Sequence, residues 1–167
     1  MSHFAFEVAA LAGALQARRA MLATAESCTG GMIAAACTDR AGSSEWFERG
    51  FVTYSDAAKT QMLGVEPGRI AAHGAVSVEV AGAMAEGALV HSEATWAVAV
   101  TGIAGPAGAT PGKPVGTVCL SVAAADGERI DRDVFIPGDR DAVRDHTTTI
   151  VLHLLRRLLT GPRAPAA

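Results

Sequence analysis

The apolar residues of the chain recur with the period of a helix in some segments and form short continuous runs in others. Over residues 4–19 they recur every three or four positions, which predicts an amphipathic helix. A second helix is expected to open at Thr29-Gly30-Gly31 and to run through Cys37. Another is expected after Ser77, whose side chain suits a helix N-cap. The same reasoning predicts helices over residues 56–63 and 140–159.

Five short apolar runs predict the strands. The first covers residues 21–25, and the others cover residues 50–54, 95–100, 115–122 and 130–136. Asp126-Gly127 separates the last two runs and is a typical hairpin turn. This order of elements predicts an α/β fold with one mixed sheet flanked by helices. We expect a single domain over residues 1–167, with its core at about 5–160 and a frayed tail at 161–167.

Composition narrows the class of protein. Of the 167 residues, 50% are hydrophobic but only 5% are aromatic, so we expect a core of small side chains that lets backbones approach closely. The formal net charge of −3 and the lack of a basic cluster argue against nucleic-acid binding. Three cysteines without a CxxC pair suit a reducing compartment. The start MSHFAFEV lacks the features of a signal peptide, and no apolar run has membrane length, so we expect a cytoplasmic protein.

The segment AESCTGG, residues 25–31, is the first candidate for chemistry. A serine between the end of a strand and the start of a helix points out of the sheet, beside N–H groups that have no intrahelical partner. Backbone donors at Thr29, Gly30 and Gly31 can stabilise an oxyanion there, and the glycines let a ligand approach closely. Ser27 is therefore a candidate nucleophile. The sequence equally permits a plain helix cap followed by a glycine turn.

Cys28 is the rival nucleophile, because the same helix start is expected to lower the pKa of its thiol. Adjacent side chains on such a turn point in different directions, so we expect only one of Ser27 and Cys28 to face a site.

The segment YSDAAK, residues 54–59, is the second candidate. A lysine activates a serine only when its amine is neutral, so its pKa of about 10.4 must fall by roughly 3 units through burial. Lys59 in a closed pocket would then be a general base in a Ser-Lys variant of the catalytic triad. The hydroxyl of Tyr54 would relay the proton or orient the amine. A solvated helical lysine beside a packed tyrosine is the simpler alternative.

A glycine-rich loop after the 95–100 strand is the third candidate. Thr101 and Gly102 open the segment TGIAGP, which resembles an oxyanion or phosphate loop but matches neither the P-loop nor GxGxxG. A plain turn explains it equally well. The five histidines are scattered, and none has a second ligand at the spacing of an HExxH site, so we expect no metal.

Several of these segments together resemble the CinA C-terminal domain family, the nicotinamide-nucleotide amidases. The matching stretches follow the family's order and cover roughly residues 5–160. They are AESCTGG (25–31), GSSEWF (42–47), YSDAAK (54–59), LGV (63–65), HGAVS (73–77), AVTGIAGP (99–106), GKPVGTV (112–118) and IPGDR (136–140).

This resemblance implies a three-layer α/β/α domain that hydrolyses the carboxamide of nicotinamide mononucleotide to nicotinate mononucleotide and ammonia, without a cofactor. Ser27 would be the nucleophile, Lys59 the general base and Tyr54 an assisting group. Thr101 and Gly102 would line the pocket around the carboxamide.

Charge placement adds a candidate for the substrate's phosphate. It makes Arg140 our first choice, with Arg144 one turn further along the helix, although both also fit an ordinary surface role. Asp56 stands where the resemblance leads us to expect Asn.

Other interpretations stay open at this point. The chain is alternatively a non-catalytic nucleotide-binding module, an amidase for a related pyridine amide, or a Cys28 hydrolase. Both the alanine-rich helices and the resemblance suggest a homo-oligomer, most simply a dimer. Many members of the family also carry an N-terminal molybdopterin-binding-like domain, and 167 residues leave room for the amidase domain alone.

Overall fold

Two fully buried strands form the centre of the sheet. The computed structural model describes residues 3–162, and within them β1 (Leu22–Glu26) lies parallel to β3 (Trp96–Gly102). Neither strand shows the polar alternation of a half-exposed strand, because helices cover both faces of the sheet at this point. The ends of β1 and β3 therefore reach the same edge of the sheet.

The other three strands complete a mixed sheet of order β2-β1-β3-β4-β5. Strand β2 (Phe47–Val52) runs parallel to β1, whereas β4 (Thr117–Ala124) and β5 (Arg129–Phe135) form an antiparallel pair beside β3. The hairpin predicted between β4 and β5 is present, with Gly127 at a φ of 98°.

Helices pack on both faces of this sheet, as predicted, and give the three-layer α/β/α arrangement. One apolar cluster joins the first face to α1, α2 and α6, and a second joins the opposite face to α3, α4 and α5. The helices are α1 (Ala5–Ala17), α2 (Met32–Thr38), α3 (Asp56–Leu63), α4 (Pro67–His73), α5 (Val78–Val90) and α6 (Arg140–Thr160).

The two faces of the sheet differ in side-chain size. The face under α5 carries mostly alanines, namely Ala23, Ala25, Ala97, Ala99 and Ala123. Helix α5 in turn approaches α3 so closely that a Cβ at Gly87 would overlap the carbonyl oxygen of Leu63. Small residues thus bring α5 close to the sheet and α3, which carries Lys59, close to α5.

Two elements differ from the sequence prediction. Strand β2 begins at Phe47 and ends at Val52, whereas residues 50–54 were predicted, because an edge strand tolerates charged residues such as the half-buried Glu48 and the exposed Arg49. Helix α4 was not predicted, since it is only seven residues long and Ile70 is its one buried side chain. Pro67 in its first turn was the available signal.

Two sequence expectations concern the periphery of the chain. The predicted frayed tail, 161–167, lies almost entirely outside the described residues. Across residues 3–162, none of the helices combines the length and the apolar character that a membrane crossing requires.

Two helical glycines provide a matched test of the packing between α3 and α5. We expect Gly87→Ala to lower the free energy of unfolding by about 1–3 kcal/mol, because the new methyl group collides with backbone. Gly13→Ala in α1 meets no atom within 4 Å and should raise it by about 1 kcal/mol through helix propensity. Urea denaturation measures both values, and an unchanged or raised stability of Gly87→Ala would contradict the close approach.

Candidate functional site

A cavity of about 260 Å³ opens where the parallel strands β1 and β3 end. Ligands of open α/β sheets bind outside the carboxyl ends of such strands. Six of the residues predicted for the site line this cavity: Ser27, Tyr54, Lys59, Thr101, Gly102 and Arg140. Segments that are far apart in the sequence are thereby brought together around one space.

The turn that carries Ser27 is held from beneath by a buried carboxylate. Glu26 is fully buried at the end of β1, and its Oε1 accepts hydrogen bonds from the hydroxyl of Thr29 at 2.8 Å and the N–H of Ile33 at 2.9 Å. Its Oε2 accepts from the N–H of Ala34 at 2.9 Å. Glu26 therefore caps the first turn of α2, where a negative charge is favoured, and it leaves the next side chain, Ser27, facing the cavity.

Lys59 meets Ser27 inside the protein. Its Nζ lies 3.0 Å from the Oγ of Ser27, and the two side chains are 1% and 8% exposed. The Nζ also donates to the carbonyl oxygens of Thr53 at 3.0 Å and Tyr54 at 3.4 Å. The lysine is thus a buried group with three oxygen neighbours and no carboxylate within salt-bridge distance among the described residues.

The environment shifts the titration of Lys59 toward the neutral amine. Burial lowers the pKa of Lys59 below its ordinary value, because the charged form loses its hydration. The negative charge of Asp56 in the first turn of α3 acts in the opposite direction and raises the same pKa.

The three neighbours of Nζ determine what the neutral amine can do. Carbonyl oxygens only accept hydrogen bonds, whereas a hydroxyl both donates and accepts. A neutral amine has two protons, which the carbonyls of Thr53 and Tyr54 accept, so its lone pair is left for the hydroxyl of Ser27. This arrangement suits removal of the serine proton, which is the chemistry of a general base.

Tyr54 contributes to the site through a different atom from the one predicted. Its backbone carbonyl contacts Lys59, while its ring is 58% exposed and its hydroxyl pairs with the Nη2 of Arg140 at 2.7 Å. The Nη1 of Arg140 donates to the carbonyl of Gly105 at 2.8 Å. Arg140 and Tyr54 thus form a polar rim at the exposed side of the cavity.

Thr101 and Gly102 form the opposite wall. The hydroxyl of Thr101 donates to the carbonyl of Ala75 at 2.9 Å, which ties the end of β3 to the loop before α5. A Cβ at Gly102 would lie 2.8 Å from Val118 and 3.1 Å from the Sγ of Cys28. Only glycine therefore fits at this position, beside the turn that carries Ser27 and Cys28.

Thr29, Gly30 and Gly31, predicted as backbone donors to the substrate, are not among the residues that line the cavity, and this role stays a prediction. The turn folds back on itself after Ser27, and the N–H of Gly30 donates to the carbonyl of Ser27 at 3.0 Å. The hydroxyl of Thr29 points inward to Glu26. The helix start thus organises the turn, and the donor predicted at Gly30 is already used.

The prediction of an acidic thiol at Cys28 is wrong. Burial raises the pKa of Cys28 to about 11; its own backbone N–H lowers that pKa, the charge of Glu26 raises it, and Arg144 and Lys59 lower it by smaller amounts. The helix start does not produce a thiolate, because its first N–H groups are bonded to Glu26. Cys28 does line the cavity beside Ser27, contrary to the expectation that only one of them would.

Comparison with known proteins places this geometry in a family. The family model described as the CinA C-terminal domain matches residues 6–159. The chain belongs to the CinA C-terminal domain family. A CinA-like protein of Mycolicibacterium vanbaalenii is 59% identical over 140 residues, 84% of this chain and 33% of that protein. One from Mycobacterium tuberculosis is 55% identical over 145 residues, 86% of this chain and 34% of that protein.

Solved CinA structures share the fold. The competence/damage inducible protein CihA from Agrobacterium tumefaciens is 43% identical with a TM-score of 0.88, over 96% of this chain and 100% of that one. The competence damage-inducible protein A from Klebsiella pneumoniae is 35% identical with a TM-score of 0.92, over 97% of this chain and 100% of that one. The chain spans about a third of the length of the curated CinA-like relatives that it matches.

Sequence reasoning missed two features of this CinA domain. A charged residue, Glu26, at the end of an otherwise buried strand was a signal for the cap beneath Ser27. Arg144, which we considered for a phosphate, instead bonds the carbonyl oxygens of Cys28 and Thr29, and it does not line the cavity. Nothing local in the sequence indicates this contact, which joins residues more than a hundred positions apart.

No metal centre is evident in the part of the domain that the structure describes. Over residues 3–162, His, Cys, Asp and Glu side chains nowhere gather in a group of three or more able to hold an ion.

Asp56 provides a test of the electrostatics around Lys59. Asp56→Asn should move the pKa of Lys59 further below its ordinary value, because the substitution removes a charge that favours the protonated amine. Side-chain NMR titration of Lys59 measures this directly. Glu66→Gln, a carboxylate that does not act on Lys59, is the matched control. A pKa that is unchanged or raised in Asp56→Asn would contradict the assignment.

Proposed function

We propose that this CinA domain is a nicotinamide-nucleotide amidase that hydrolyses the carboxamide of nicotinamide mononucleotide through an acyl-enzyme on Ser27. The observation that carries the proposal is the contact of 3.0 Å between the buried Nζ of Lys59 and the Oγ of Ser27, at the base of a cavity. The family resemblance of the motifs around both residues supports the choice of substrate.

Acylation begins with the neutral amine of Lys59. It takes the proton of Ser27, and the serine oxygen attacks the carboxamide carbon to form a tetrahedral intermediate. The ammonium of Lys59 then returns this proton to the departing nitrogen, the C–N bond breaks and ammonia leaves. Ser27 is left as an ester of the nicotinate group.

Deacylation uses the same base. Lys59, neutral again, takes a proton from a water molecule, whose oxygen attacks the ester carbon. The serine oxygen leaves and takes that proton from Lys59, which releases the carboxylic acid, and the acid then loses its own proton to water to give the carboxylate product. The amine is thus regenerated in each half-reaction, and no metal or cofactor enters the scheme.

Arg140 is proposed to hold the phosphate of the substrate. Its guanidinium is exposed at the rim of the cavity that contains Ser27, and its present partners are the hydroxyl of Tyr54 and the carbonyl of Gly105. Neither partner is a carboxylate, so the positive charge is available to an anion. A ligand with its amide at the buried end and its phosphate at the rim matches this distribution of charge.

The nucleophile and base are tested by ammonia release from nicotinamide mononucleotide. Ser27→Ala and Lys59→Ala should each lower the rate by at least about a thousandfold, because the two groups act as one unit. Cys28→Ala is the matched control beside the nucleophile and should retain activity.

Full activity in Ser27→Ala would reject the proposal, and loss of activity only in Cys28→Ala would favour a thiol mechanism. A wild-type protein that binds the nucleotide without turnover would be a binding module. A wild type that releases ammonia faster from another pyridine amide would revise the substrate.

The phosphate site is tested by binding in the inactive Ser27→Ala background. Arg140→Met should weaken binding of nicotinamide mononucleotide by about 10- to 100-fold, the loss expected for a hydrogen bond between charged groups. It should leave binding of the riboside, which lacks the phosphate, nearly unchanged. Arg157→Met on the same helix but away from this cavity is the control. Calorimetry measures the dissociation constants, and equal losses for both ligands would contradict the assignment.

A further inference from the structure

Arg144 lies one turn after Arg140 on α6 but reaches a different target. Its Nε donates to the carbonyl oxygen of Cys28 at 3.2 Å, and its Nη2 donates to that of Thr29 at 3.1 Å. The side chain is half-buried and takes no part in lining the cavity. The guanidinium of Arg144 on α6 therefore bonds the backbone of the two residues that follow Ser27.

The two carbonyls belong to the peptide groups that follow Cys28 and Thr29. A trans peptide is planar, with its C=O and N–H pointing in opposite directions. A donor that fixes the carbonyl oxygen therefore fixes the rotation of the whole peptide group. Arg144 fixes two successive groups with one rigid, planar side chain.

The turn also has bonds within itself and to the elements around it. The N–H of Met32 donates to the carbonyl of Thr29 at 3.1 Å, so Arg144 is the second donor to that oxygen. The N–H of Ser27 donates to the carbonyl of Val100 at 3.0 Å, and Glu26 accepts from the hydroxyl of Thr29. Among residues 3–162, the carbonyl of Cys28 has no donor other than Arg144. The peptide group after Cys28 is thus held by α6.

We infer that Arg144 is a positioning residue, which keeps the Oγ of Ser27 against the Nζ of Lys59 by holding the carbonyl oxygens of Cys28 and Thr29. The inference rests on the proposed role of Ser27 as nucleophile. Two arginines one turn apart then have different roles: Arg140 contacts the ligand, and Arg144 fixes the backbone next to Ser27. Loss of the Arg144 side chain lets the turn rotate and lengthens the distance between the Nζ of Lys59 and the Oγ of Ser27.

The test uses an electrophile that does not depend on the natural substrate. A small fluorophosphonate reacts with activated serines, and peptide mass spectrometry shows whether the label is on Ser27. Arg144→Met should lower the labelling rate by about 10- to 100-fold, since misplacement by about 1 Å costs a reaction as much as a hundredfold. Arg144→Lys replaces the planar guanidinium, which bonds two carbonyls, with a single ammonium group, and should give an intermediate labelling rate.

Kinetics on the proposed substrate give a second readout. Arg144→Met should lower kcat and leave the dissociation constant of nicotinamide mononucleotide in the Ser27→Ala background nearly unchanged. Arg140→Met should weaken binding instead. Thermal denaturation of every variant, with Arg157→Met as the helix control, establishes the folded fraction to which each rate is normalised.

Each outcome decides the inference. Normalised labelling of Arg144→Met at the wild-type rate would overturn it, and so would a selective loss of nucleotide binding with normal labelling. If the wild type is labelled on Ser27 but releases no ammonia from nicotinamide mononucleotide, the proposed substrate fails while the labelling rates still decide the role of Arg144. A wild type that is not labelled on Ser27 would overturn both.

Discussion

The site depends on one buried amine held against one hydroxyl. An ammonium group without water is costly, because its hydration is lost and only nearby oxygens replace it. The fold places two carbonyls and the hydroxyl of Ser27 around Lys59, and no carboxylate of residues 3–162 is in contact with it. The neutral amine is thereby favoured, and its lone pair can accept a hydrogen bond from the hydroxyl of Ser27. Burial and hydrogen-bond geometry together suit this lysine to the proposed role of a base.

Three parts of the fold position Lys59 and Ser27 for this contact. The parallel strands β1 and β3 bring Ser27 and Thr101 to one edge of the sheet, and Glu26 stabilises the turn between β1 and α2. Alanines on one face of the sheet allow α5, and α3 behind it, to approach closely. The first turns of α6 then border the cavity through Arg140 and bond the turn after Ser27 through Arg144.

Much of this architecture could be predicted because it depends on local patterns. The apolar period indicates most of the helices, and Asp126-Gly127 indicates the hairpin. The family resemblance selected Ser27 and Lys59 from many polar residues, and the structure brings them into contact.

Other features depend on packing between elements that are distant in the sequence, and such contacts cannot be predicted from local patterns. A sequence gives the presence of Tyr54 but not whether its hydroxyl or its carbonyl meets Lys59. Gly30 looked like an oxyanion donor because glycine-rich turns often are, yet a tight turn uses its N–H internally. Arg144 looked like a ligand for phosphate until the position of α6 showed which backbone it reaches.

The most direct measurement of the central claim is peptide mass spectrometry of the protein trapped during turnover. Wild-type protein mixed with excess nicotinamide mononucleotide, quenched in acid within milliseconds and digested, should carry the nicotinate mononucleotide acyl group on the peptide containing residues 27 and 28. Fragmentation should place that group on the oxygen of Ser27. An acyl group on Cys28, or steady ammonia release with no covalent adduct even in a variant slowed in deacylation, would contradict the account.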